Sequence, residues 1–182
     1  ETINNQIEAE ENTKFVDTYV LNTNLNIEGK KKLNQSLKEI DGKNISDNIF
    51  KKTFESKNID YIKELLLTEK GKLKEGIENE KNILLINLLL DNVLGKKNEN
   101  KNPNLYGSPR RHYTDLLKIL IENLKIDTKN IKELEKIIER TIEGNWHNGA
   151  LIVLEKYKLL YQNDKNDLSE KSITTIIAQN TV

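Results

Sequence analysis

Two histidines, His112 and His147, one tryptophan and no cysteine limit the chemistry open to this 182-residue chain. Neither histidine begins a His-Glu-x-x-His pair, and no second histidine stands three or four residues away to put two imidazoles on one helix face. The absence of cysteine removes disulfides, thiolate metal sites and thiol nucleophiles together. No glycine-rich phosphate loop and no Gly-x-Ser-x-Gly elbow is present. Carboxylates are plentiful, 29 of them, but they alternate with 29 basic residues along what read as solvated helix faces. There they are surface ion-pair partners, each worth a few tenths of a kcal/mol. No catalytic residue, metal or cofactor is expected.

Two places depart from this pattern. Trp146 and His147 stand between Gly144 and Gly149. A unique tryptophan in a helical protein reads first as the anchor of an interhelical corner, and second as a ligand contact. The other place is GKKNENKNPNLYGSPRRHY, residues 95 to 113, which contains both prolines. Its first half reads as a solvated connection between helices. Its second half has the residue types of a contact site: Asn104, Leu105, Tyr106, Arg110, Arg111, His112 and Tyr113 are the candidate partner-binding residues. Ser108-Pro109 has the form of a cap followed by a first-turn proline, so the arginines fall at a helix N-terminus. There they oppose the helix dipole by a few tenths of a kcal/mol each, which suggests a role beyond that helix. A plain connector remains the other reading.

Formal charge sums to zero, and the densest positive spots, Lys30–Lys32 and Arg110–His112, are short. Nucleic acid is therefore not an expected partner, because neutralising many phosphates needs a basic face. The longest apolar run, ILLINLLL at 83–90, falls far short of the roughly 20 residues that span a bilayer.

The elements behind these residues read as α-helices, since apolar residues recur at three and four and seldom at two. The expected fold is all-α, a single helical bundle of about seven to nine helices, with residues 1–14 a flexible tether and 15–182 the helical domain. One core suffices for this length. Leu33, Leu37 and Ile40 mark a helix closed at Asp41-Gly42 by a left-handed glycine. Ser46 and Asn58 cap the next two. Residues 72–94 are expected to form a central helix, apolar on several sides, with Gly95 after it. Asp127 is expected to open a helix carrying Leu134 and Ile138. Asp167 and Glu170 precede ITTIIAQ, which reads as helix or as a strand without a partner. Burial is expected for Leu84, Leu88, Leu117, Leu120, Leu134 and Ile138. SKNIDYIKELLL at 56–67 and EGNWHNGALIVLEKY at 143–157 echo each other in the manner of ankyrin-type helix pairs, although the Thr-Pro-Leu-His turn is absent and the intervals are uneven.

The polar start ETINNQIEAEENTK, the phrases LNQSLKEIDGKNISDNIF and KNIKELEKIIERTI, the 95–112 loop and the lysine- and asparagine-rich, cysteine-free composition resemble the small complement factor H-binding surface lipoproteins of Borrelia, the relapsing-fever and Lyme spirochaetes. The chain has no methionine, which fits the mature part of a longer precursor. The resemblance implies a lipid on a cysteine preceding residue 1, an outer-surface location, and non-enzymatic capture of a host complement regulator, factor H foremost. Membrane attachment would then come only through that lipid. The alternatives are an intracellular helical-repeat (ankyrin-like) scaffold or toxin-immunity protein, and an enzyme with an unfamiliar helical site.

Overall fold

A computed structural model describes residues 2–95, 108–127 and 130–163. Among them the fold is all-α, with eight helices: α1 (Thr2–Tyr19), α2 (Ile27–Glu39), α3 (Asp47–Glu55), α4 (Ile59–Leu66), α5 (Asn79–Leu94), α6 (Ser108–Glu122), α7 (Ile131–Glu143) and α8 (His147–Asn163). The helices fall into two compact units, residues 1–88 and 89–182, with the boundary inside α5. The ITTIIAQ segment and residues 104–106 lie outside the described residues.

In the first unit α1 packs on α2 and α3, and α4 packs on α2 and α3. The first helices of two hairpins thus touch each other, and so do the second helices, as in stacked helical hairpins. The core holds Val16, Val20, Leu33, Leu37, Ile40, Phe50, Phe54, Ile62, Leu65 and Leu66. α1 takes in most of the stretch expected to be a tether. Val16 and, just past its end, Val20 are buried in the core, and Asn12 donates a hydrogen bond to Glu39 at 3.1 Å.

The capping residues act as their types dictate: Ser46 accepts from the Ile49 amide and Asn58 from those of Asp60 and Tyr61. Gly42 is a different case from the one expected. α2 ends at Glu39, and Gly42 begins a 3-10 turn, Gly42–Asn44. A Cβ there would lie 2.2 Å from the Glu75 carbonyl oxygen, so the close approach of another backbone, and no left-handed conformation, is what requires glycine.

The expected helix over 72–94 is shorter. Its first third is a turn in which Leu67 and Leu73 form an isolated antiparallel bridge, with the Lys74 amide donating to Leu66 O at 2.9 Å. Gly71 (φ 74°) and Gly76 (φ 87°) occupy left-handed positions that hold the chain out of helix there. On α5 the buried residues are Leu85, Ile86, Leu89, Leu90 and Val93, whereas Leu84 and Leu88 are only half-buried. With leucine or isoleucine at nearly every position from 83 to 90, composition does not mark the inward face, and the two expected residues sit one position off it.

In the second unit α8 packs on α6 and α7. Leu117, Leu120, Leu134 and Ile138 are fully buried, as expected, together with Leu116, Val153 and Tyr157. α7 begins after Asn130 rather than at Asp127. Those two residues instead exchange hydrogen bonds, Asp127 N to Asn130 Oδ1 at 2.8 Å and Asn130 N to Asp127 Oδ1 at 3.1 Å. The α3–α4 and α7–α8 turns, which lie within the two echoing phrases, are built alike. Each has three residues with a left-handed non-glycine in the middle, Lys57 (φ 54°) and Asn145 (φ 56°). Two residues before each helix end a buried threonine, Thr53 or Thr141, donates its hydroxyl to the preceding turn.

Candidate functional site

α6 begins at Ser108, so the charged and aromatic residues 110–113 occupy its first turns as the sequence predicts. Their side chains have divided roles. Arg110 donates from Nη1 to Asn145 O at 3.1 Å and from Nη2 to Gly144 O at 3.0 Å. Those carbonyls close α7, whose C-terminal end carries partial negative charge. The cation that opposes the dipole of its own helix therefore complements that of another.

Tyr113 is 6% exposed and accepts a hydrogen bond from Asn92 Nδ2 at 3.4 Å. Burial raises its phenol pKa above the ordinary value, and the Asn92 contact acts the other way. Of the four described candidates, Arg111 and His112 face solvent. Between an anchored arginine and a buried tyrosine, this pair is displayed on a fixed helical turn. Asn104, Leu105 and Tyr106 lie outside the described residues.

Trp146 is buried at 3% exposure, in keeping with its reading as an anchor. Gly149 lies beneath it: a Cβ there would come within 2.6 Å of the indole Cδ2. His147, the first residue of α8, is exposed.

Sequence reasoning missed a cleft of about 790 Å³ in the first unit, where the end of α2, the second half of α4 and the 67–76 turn meet. Lys38, Asp41, Lys63, Glu64, Glu69 and Lys74 are among its lining residues. Lys74 is 9% exposed and donates from Nζ to Leu37 O at 2.8 Å and Ile40 O at 3.0 Å. Burial lowers its pKa to about 8, while Glu64 and Asp41 pull it back up. Two of its protons are held by the carbonyls that end α2, so the ammonium ties the 67–76 turn to that helix. The legible sign was the pair Gly71 and Gly76 around it, which marks a turn.

Lys74 and Arg110 belong to a wider pattern. Lys52 donates to Asp17 O near the end of α1, Arg140 to Gly95 O after α5, and Lys156 to Glu122 O at the end of α6. Five helices thus have C-terminal carbonyls met by a basic side chain 34 to 45 residues away in sequence. In a chain this rich in lysine, part of the charge closes helix ends. Among the described residues no group of three or more histidine or carboxylate side chains is placed to hold a metal ion, and no helix is long and apolar enough to cross a membrane.

No family model, no curated protein and no solved structure matches the chain.

Proposed function

We propose that the chain is a non-catalytic binding protein of a bacterial outer surface, tethered by a lipid ahead of residue 1, that captures a host complement regulator, factor H foremost. The supporting sequence features are the polar start, the helical phrases and the loop that resemble the Borrelia lipoproteins. The observation that carries the reading to a site is the division of labour on α6. Arg110 and Tyr113 are engaged in the fold, which leaves Arg111 and His112 displayed on a turn fixed from both sides. A preorganised display lowers the ordering cost of association. The direct test is to immobilise the chain, pass human serum over it and identify what is retained, then measure binding of purified factor H. If serum yields no complement regulator, this assignment fails.

The helical-repeat scaffold has one observation in its favour: the stacking of the α1–α2 and α3–α4 hairpins and the matched turns at Lys57 and Asn145. The coding sequence upstream of Glu1 separates the two readings. A leader ending in a lipidation cysteine supports the surface protein, and a nearby initiator methionine supports the scaffold.

A further inference from the structure

The hairpin tip between α1 and α2 exposes aliphatic side chains that the fold has no use for. Ile27, the first residue of α2, is 74% exposed, Leu21 is 43% exposed, and Leu25 between them is half-buried. Exposed Lys30 and Lys31 follow Ile27 by three and four residues, which places all three on one face of the helix. Glu28 is the only carboxylate from Leu21 to Lys32. Lys32 lies over the Phe15 ring, 4.5 Å from its centroid.

The tip is also held in shape. The Asn22 amide donates to Tyr19 O at 2.9 Å, the Asn24 amide to Asn22 Oδ1 at 2.8 Å, and the Gly29 amide to the Asn26 cap at 2.7 Å. Glycine at 29 leaves room for Leu25, whose Cδ2 would stand 3.1 Å from a Cβ there. The apolar side chains are presented in place before anything binds.

We propose that this tip is a docking surface for an anionic phospholipid membrane, with Leu21 and Ile27 entering the headgroup layer and Lys30 and Lys31 meeting lipid phosphates. The composition favours lipid over protein. Protein interfaces are enriched in arginine and poor in lysine, and Leu21 to Lys32 carries three lysines and no arginine. Aliphatic side chains beside lysines are what surface-bound proteins use on anionic bilayers. α1 is 18 residues long, about 27 Å, so a lipid tether ahead of residue 1 would sit at the other end of that helix. The tip is a second, separate membrane contact.

Co-sedimentation with phosphatidylcholine vesicles, with and without phosphatidylserine, tests this. The chain should pellet with the anionic vesicles, little with the neutral ones, and less as salt rises. Leu21→Asn with Ile27→Asn, and separately Lys30→Glu with Lys31→Glu, should each weaken binding about tenfold or more. Because the chain has no cysteine, Ile27→Cys offers a single site for an environment-sensitive dye, with Lys158→Cys as control. Anionic vesicles should shift the dye at 27 to the blue and leave the dye at 158 unchanged. Failure to bind phosphatidylserine vesicles at low salt, equal binding to neutral ones, or equal dye shifts at 27 and 158 would overturn the proposal.

Discussion

Arg110 Nη2 lies 3.0 Å from the carbonyl oxygen of Gly144, joining the start of α6 to the end of α7. The guanidinium reaches Asn145 O as well, a fork geometry that an ammonium does not reproduce. Arg110→Ala is expected to lower stability by about 1.5 to 3 kcal/mol, the range for hydrogen bonds to charged groups. Arg110→Lys should recover part of that. Urea denaturation of the three proteins measures it, and an alanine variant as stable as the parent would show that the fork carries no net energy.

On α5, Leu89 is fully buried while Leu88 is half-buried. Leu89→Ala should cost roughly 2 to 5 kcal/mol, and Leu88→Ala clearly less, because a partly solvated site leaves a smaller cavity. Equal losses would mean that both faces of the helix are covered.

The two left-handed turn residues give a prediction of opposite sign. Lys57 has φ 54° and Asn145 φ 56°, a conformation that costs an ordinary side chain roughly 1 kcal/mol and asparagine less. Lys57→Gly is therefore expected to raise the melting temperature, and Asn145→Gly to raise it by a smaller amount. A fall at Lys57 would show that its side chain contributes more than its backbone loses. Gly149→Ala should do the reverse and destabilise by about 1 to 3 kcal/mol, because the added Cβ collides with Trp146.

These residues show why some of the molecule is legible in sequence and some is not. Ser46 and Asn58 act within three residues of themselves, so their types and positions announce the helices they cap. Gly42 is conspicuous, but the backbone it makes room for, at Glu75, belongs to a distant segment, and only the fold reveals why glycine is needed. The same holds for the basic caps. Nothing near Lys52 or Lys156 in sequence distinguishes them from surface lysines, and the glycines around Lys74 mark its turn but not its role, because the carbonyls these lysines meet lie 34 to 37 residues away. The mismatch of Arg110 with its own helix was legible. Its partner was not: the guanidinium meets carbonyls 34 and 35 residues away.

Lys74 makes stability depend on pH. Its pKa is about 8 in the fold, below the ordinary 10.5, so between these values the unfolded chain holds more protons at this site. Stability contributed by this residue therefore rises from about pH 8 to 10.5 and is lost as pH falls through 8. Tyr113 acts in the opposite sense. Its raised pKa favours the fold below the ordinary tyrosine value, and that contribution disappears as pH climbs through the raised value. Urea midpoints should accordingly climb above pH 8 before falling in stronger base. Lys74→Met should flatten the climb and also remove the donor shared by Leu37 O and Ile40 O. If carbon-13 NMR of the lysine ε-carbons shows Lys74 titrating with the exposed lysines, its ammonium is not desolvated in solution.

Arg111 and His112 are exposed and start a helix whose neighbouring side chains are engaged in the fold, so replacing them should leave the urea midpoint within about 0.5 kcal/mol of the parent. Arg110→Ala and Tyr113→Ala offer no such separation, since either would weaken binding through the fold alone. If factor H docks at this turn, Arg111→Ala should slow association and reduce its dependence on salt, because rim charges act mainly on the encounter. His112→Ala should act chiefly on dissociation if the ring is covered in the complex. Association and dissociation rates for purified factor H, measured at two salt concentrations on variants matched in stability, decide the matter. Unchanged rates for both variants would remove this turn from the interface, whether or not the parent chain binds factor H through another surface.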